Sequence, residues 1–486
     1  MRKIIRQLSI ATAIFAASAA YGQDVISLFE KAQDGDAQAQ YELANCYLKG
    51  NGVKKDPAKA FTWYKQAAAQ GHERAKMALD MLSDMGLSTA TPAPAAAGAP
   101  APAPSTEAGA PGEAEFQEGL RYAEGTGVTK NMVKAAQHFL AAAKMGHAAA
   151  QGRIAVCYAL GNGVLEDLKE SVRWAKLGAE QGDPRALNSL AISYENGEGG
   201  LAINRTEAIR LFRAAAEQGY PMAQKNLALR YLSGTGVAQD NKEAAKWMRS
   251  AAELGQDDAQ AILGDWYYLG QIMPQNYAEA LKWLRMAADQ NNMYAQFRLG
   301  VCYEEGNGVP RNYTEAVKMY MLAANQGNVT AQTRLGWMYE RGFGVAQSYE
   351  EATKWFKLAA DQGDAWAQVQ LGVHYQDAKG APQNYDEAFK LFNKAAAQGN
   401  AVAYENLGAC YYTGKGVQRN NAEAFRYFKM AADAGNAAGK HKMGICYVEG
   451  IGTKKNRKEG IRLIREALNN GCEEARNTLK TYGVKP

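Results

Sequence analysis

The chain is poor in the residues that usually announce chemistry: of 486 positions only 6 are Cys, 5 His and 13 Pro. His138, His374 and His441 have no cysteine or second histidine within helical reach, so neither a metal site nor a cofactor is expected. His-Glu-x-x-His, Gly-x-Ser-x-Gly and Ser-x-x-Lys are all absent, which removes the common hydrolase constellations and leads us to expect no catalytic activity. No run reaches the roughly 18 consecutive apolar residues that a membrane span needs. Neither sign of charge dominates, with 55 Lys+Arg against 50 Asp+Glu, which gives no electrostatic footprint for nucleic acid. A 47% hydrophobic and 22% charged composition excludes overall disorder.

Proline is scarce and unevenly placed. Six of the thirteen fall between residues 88 and 112, among Ala, Gly, Ser and Thr with almost no charge. Such a stretch is a semi-rigid spacer of about 3.1 Å per residue, up to roughly 80 Å in all. At the front, Arg2, Lys3 and Arg6 precede an apolar run from Leu8 to Ala20 that ends in small residues. This pattern predicts a cleaved leader over 1–22 and a periplasmic or secreted protein. No cysteine follows the run before Cys46, so lipid anchoring is not expected. Loss of the leader leaves 52 basic and 50 acidic residues, a net charge of +2. The expected organisation is a leader (1–22), a short helical unit (23–87), the Ala/Pro linker (88–112) and a main array (113–486). The short unit sits on a tether or docks back on the array.

What the chain has in abundance is self-similarity. Ala-Gln pairs recur every 36 residues at Ala223, Ala259, Ala295, Ala331 and Ala367. The frame extends to eleven repeats that start at 39, 114, 150, 186, 223, 259, 295, 331, 367, 403 and 439, with Gly200 as one extra loop residue. In the repeat that begins at Ala331, small and apolar residues at Ala331, Leu335, Gly336 and Tyr339 keep helical spacing over a first helix, A. Gly342 and Gly344 then interrupt it, and Ala352, Trp355, Phe356, Ala359 and Ala360 form the apolar face of a second helix, B. Counted from Ala331 as position 1, position 18 is Asp, Asn or Ser in all eleven repeats, and nine carry Glu three residues later. We read these as the N-cap and capping box of helix B, so the carboxylates are structural. The fold class expected is all-α, a superhelical solenoid of about eleven 36-residue helical hairpins, with Asp24 to Gly35 opening it and Ala475 to Tyr482 closing it.

These residues carry a resemblance. The Ala-x-x-x-Leu-Gly-x-x-Tyr of Ala331–Tyr339, the Gly-x-Gly-Val turn and the Ala-x-x-Trp-x-x-x-Ala-Ala of Ala352–Ala360 resemble the Sel-one-like repeat, a relative of the tetratricopeptide repeat. The resemblance implies a right-handed α/α superhelix that acts as an adaptor for protein complexes, often exported in bacteria. Three departures are local: Ala378 and Ile272 replace the first and second turn glycines, and Asn291 the terminal one. β-Lactamase-like activity is attributed to some relatives, but the serine chemistry for it has no residues here.

Five of six cysteines, Cys46, Cys157, Cys302, Cys410 and Cys446, share position 8. Stacked equivalents lie about 8–10 Å apart, beyond the roughly 7 Å limit of a disulfide, so all are expected to be reduced. Five Trp (Trp63, Trp174, Trp247, Trp283, Trp355) hold position 25 and are expected in the core. Aromatics and cations outside this consensus are the candidate partner-binding residues: Trp266, Tyr268, Phe297, Arg298, Arg334, Trp337, Phe343 and Trp366. The alternative is that they pack under the loops. An exposed strip of this kind suits a protein or peptide partner, and secondarily a cell-envelope glycan such as peptidoglycan.

Overall fold

The computed structural model describes residues 111–485 continuously and, before them, 35–49 and 57–72 with isolated flanking positions. The proposed leader, most of the linker and the cap residue Asp56 lie outside the described residues. Within them there are 23 helices and no strand, arranged as successive helical hairpins. Two compact units are present, residues 1–211 and 212–486. In the first, Ala37–Lys49 pairs with Pro57–Ala69, and Val133 and Leu165 of later repeats pack against the Leu43, Ala60 and Tyr64 cluster of that hairpin.

The repeat at Ala331 shows why each hairpin forms. Helix A runs Val329–Arg341 and helix B Tyr349–Asp361. Ser348 caps helix B by accepting the Glu351 N–H (3.2 Å), and Asn384 does the same for Glu387 (3.0 Å). The reciprocal half of the capping box is not made. The cap residue's own N–H donates instead to the position 9 carbonyl of helix A, as Asn384 does to Tyr375 at 2.9 Å. With that donor satisfied, the glutamates turn outward and pair with a cation three residues on, Glu351 with Lys354 and Glu387 with Lys390.

Helix A has caps of its own, at position 34 of the preceding repeat. Asn328 accepts from Ala331 N (2.8 Å) and Asp364 from Ala367 N (2.6 Å). His147 does this through Nδ1, which accepts from Ala150 N; Nε2 therefore carries the proton and donates to Glu113 (2.8 Å). His72 holds position 34 as well and caps in the same way, accepting from Ala75 N (3.2 Å).

Two devices join hairpin to hairpin. The second turn glycine takes a positive φ and lies on the first turn of the preceding helix B: a Cβ on Gly380 would sit 2.0 Å from the Tyr349 carbonyl oxygen. A glutamine after the first alanine, present in seven of the eleven repeats, forms the other. Buried Gln332 donates to Ala324 O of the preceding helix B (3.1 Å) and accepts from Gln362 of its own (2.8 Å). Gln368 and Gln398 repeat this one unit later, and Gln398 also donates to Gly363 O. At the consensus departures, Ala378 (φ 56°) and Asn291 (φ 65°) adopt the left-handed conformation of the glycines they replace, while Ile272 packs into a hydrophobic cluster.

Candidate functional site

Helices A of consecutive repeats carry all the candidate residues but Phe343, which lies in a turn, and their caps and apolar spacing set which side chains turn inward. Trp266 turns inward. It is 7% exposed and belongs to the core cluster of Met248, Leu263 and Ala280, so the expectation of an exposed strip through Trp266 is corrected. The physical reason is register: Trp266 stands at position 8, where Cys157, Cys302, Met338 and His374 are also buried. Of the five position 25 tryptophans, Trp63, Trp174 and Trp283 are buried, whereas Trp247 and Trp355 are half-buried. The Trp174, Trp247 and Trp283 indole N–H groups each donate to the helix B glutamate four residues earlier.

Tyr268, Phe297 and Arg298 form a group closed on itself. The Arg298 Nε lies 2.6 Å from Asp265 Oδ1 and 3.0 Å from the Tyr294 hydroxyl, and its guanidinium stands over the rings of Tyr268 and Tyr294 at about 5.5 Å. Tyr268 donates to Glu305 (2.7 Å) and accepts from Asn307 (2.9 Å). Burial and the Glu305 carboxylate push its phenol up to about 12. Phe297 packs on the Tyr320 ring at 5.8 Å.

The remaining residues come together differently. Thr333, Arg334 and Trp337 of helix Val329–Arg341 and Trp366 of helix Ala365–Asp377 line one cleft of about 290 Å³. Trp337 meets Phe343 edge-on at 5.0 Å, and Phe343 stacks on Tyr313 at 5.0 Å, so the far wall is braced from beneath. Trp366 leans edge-on against Phe356 and remains 39% exposed. Arg334, 44% exposed, is oriented by Glu304 (3.0 Å), which also accepts from the buried Tyr320 hydroxyl. Burial, reinforced by the Glu304 charge, drives the Tyr320 phenol far upward, so it stays neutral and remains the donor. The Thr333 hydroxyl is buried against the cleft without a hydrogen-bond partner. Indole faces, an oriented guanidinium and an unsatisfied hydroxyl suit an apolar or aromatic side chain with a polar group beside it.

Among the described residues no three His, Cys, Asp or Glu side chains converge as a metal site would require. The fold does bring Cys472 within 3.6 Å of His441 Nδ1, across 31 residues that sequence spacing could not bridge. Cys472 also donates to Glu474, and His441 Nε2 lies 2.8 Å from the Thr478 hydroxyl, so the pair is satisfied within the closing helix. Cys157, Cys302, Cys410, Cys446 and Cys472 are free thiols.

The chain belongs to the Sel1 repeat family, whose model matches eleven segments: 37–72, 112–147, 148–183, 184–220, 221–256, 257–292, 294–328, 329–364, 367–400, 401–436 and 437–472. It is similar to the crystal structure of a protective antigen present in uropathogenic Escherichia coli strains that displays the same fold. The two are 32% identical over 94% of this chain and 90% of that one, with a TM-score of 0.61. A Sel1 repeat protein from Oxalobacter formigenes is also 32% identical, over 64% of this chain and 89% of its own, with a TM-score of 0.48. No curated protein matches the chain. Proteins of this family commonly serve as protein-interaction scaffolds, and no described helix is long and apolar enough to cross a membrane.

Proposed function

We propose that the chain is an exported scaffold, periplasmic or secreted and without catalysis of its own, which holds a protein or peptide partner on the helix A face at Arg334, Trp337 and Trp366. The observation that carries this reading is the cleft between repeats, where an exposed indole and an oriented cation flank a buried hydroxyl with no partner. The basic, then apolar, then small-residue pattern over 1–22 supports export, and the likeness to a protective antigen agrees with it.

The test uses the full chain and its Trp366→Ala and Arg334→Ala variants. Each is compared for capture of partner polypeptides from an envelope fraction, beside a glycan array. The reading expects both variants to lose capture while melting like the parent. Undiminished capture by both would abandon the cleft, and binding confined to glycans would replace the protein partner by a sugar chain. Export is tested separately by N-terminal sequencing of the chain from fractionated cells. A mature end near residues 21–23 is expected, and an intact Met1 in the cytosol would overturn it.

A further inference from the structure

Elsewhere in the array, most helices B answer one of their cations locally. In seven of them the glutamate at the third helical position pairs with a Lys or Arg three residues on, from Glu170–Arg173 to Glu423–Arg426. The last repeat departs from this balance. Residues 451–486 hold nine Lys and Arg against four Glu, and Arg462 engages two of the four, Glu459 and Glu466. Lys454, Lys455, Arg457, Lys458 and Arg465 are exposed and have no carboxylate partner among the described residues. Arg457 and Lys458 also occupy the first turn of helix Arg457–Asn469, where the helix dipole disfavours cations, so helix stability does not account for them.

Two of these cations are held in position. Arg457 Nη2 donates to Tyr482 O (2.7 Å) and Arg465 Nη2 to Lys485 O (3.2 Å). The closing segment thus fixes one arm of each guanidinium and leaves the other N–H groups available. Eight residues of helix separate them by about 12 Å, a span that an extended chain covers in about four residues. We infer that this face of the last helix B is a docking surface for an acidic segment of a partner protein, with carboxylates about four residues apart on Arg457 and Arg465. Neighbouring acidic residues meet Lys454, Lys455 and Lys458. Fixed planar forks match carboxylates by geometry as well as charge, which a diffuse anionic surface would not exploit. This surface is separate from the helix A cleft.

The test measures binding of two labelled peptides to the full chain at low and high salt. Both have the same composition, but one spaces its aspartates four residues apart and the other clusters them. The spaced peptide is expected to bind about tenfold more tightly, and Arg457→Ala with Arg465→Ala to weaken it by about tenfold or more. The Arg457→Lys, Arg465→Lys chain keeps the charge and is expected to bind both peptides alike. Equal affinity of the parent for the two peptides, a preference that survives the lysine variant, or unchanged binding by the alanine variant would each overturn the proposal. So would tighter binding to vesicles of anionic phospholipid than to the spaced peptide. If the alanine variant melts early, the lysine variant decides the matter alone.

Discussion

Position 8 of the repeat accepts a thiol, a thioether, an imidazole or an indole, and in Cys302, Met338, His374 and Trp266 each is buried. Side-chain size there is absorbed by neighbours, so truncation leaves a void. Trp266→Ala should cost about 3–5 kcal/mol in denaturant unfolding, whereas Trp366→Ala, at the open cleft, should stay within about 1 kcal/mol. Matching losses would erase the distinction drawn between core and cleft. His374 gives position 8 a dependence on pH. The Thr353 hydroxyl, 2.7 Å from His374 Nδ1, also contacts the Tyr349 and Lys379 carbonyls, so it donates to a carbonyl and accepts from the ring. His374 Nε2 is left buried without a hydrogen-bond partner, 4.0 Å from Glu340 Oε1. Burial first, and then the Lys379 charge, lower His374 from 6.5 to about 4. Because the unfolded chain binds this proton more readily, stability is complete above pH 6.5 and is lost as pH falls toward 4, on the order of 3 kcal/mol in all. His374→Met, which adopts the residue found at Met338, should remove that slope. An unchanged slope would assign it to other groups.

At the scale of the helix and its turns, the sequence made the hairpin legible because caps and turn glycines act locally. Asn384 and Ser348 announce helix B, and Gly342 ends helix A, without any knowledge of neighbours. The glutamine ladder was not legible. A glutamine beside an alanine reads as a polar surface residue until the preceding helix B supplies a carbonyl and the following one a second amide. Gln332→Leu should therefore cost about 1–3 kcal/mol, since it strands the Gln362 amide and the Ala324 carbonyl. A loss below that range in thermal unfolding would show that water replaces the ladder. The candidate site was half legible for a similar reason. Unusual residue types marked Arg334, Trp337 and Trp366, but whether an arginine stays open to the cleft, as Arg334 does on Glu304, or is closed over Asp265, as Arg298 is, depends on the adjacent repeat. One turn points to a gain in stability: Ala378 holds the left-handed conformation at φ 56°. Ala378→Gly should stabilise the chain by about 1 kcal/mol. No gain would mean that the greater freedom of glycine in the unfolded chain offsets the relief.

Across the whole molecule, the six cysteines are spread over repeats from Cys46 to Cys472. Burial pushes Cys157 and Cys410 up to about 11 and Cys302 and Cys446 up to about 12. Alkylation should therefore be slow in the native chain and reach six equivalents once it is denatured. Five or fewer would indicate a bonded pair. The glutamine ladder has a consequence for how such a chain can change length over generations. Where both partners are present, as at Gln332, the amide reaches back to the preceding helix B and across to its own, so a duplication or deletion is silent at such joints when it spans a whole number of 36-residue periods. The cut itself can fall anywhere within the period. A gene of this kind can therefore grow or shrink by unequal recombination at arbitrary points, provided the period is kept. The single extra Gly200 lies in a turn of a repeat that carries Leu187 in place of the ladder glutamine, so it disturbs no rung.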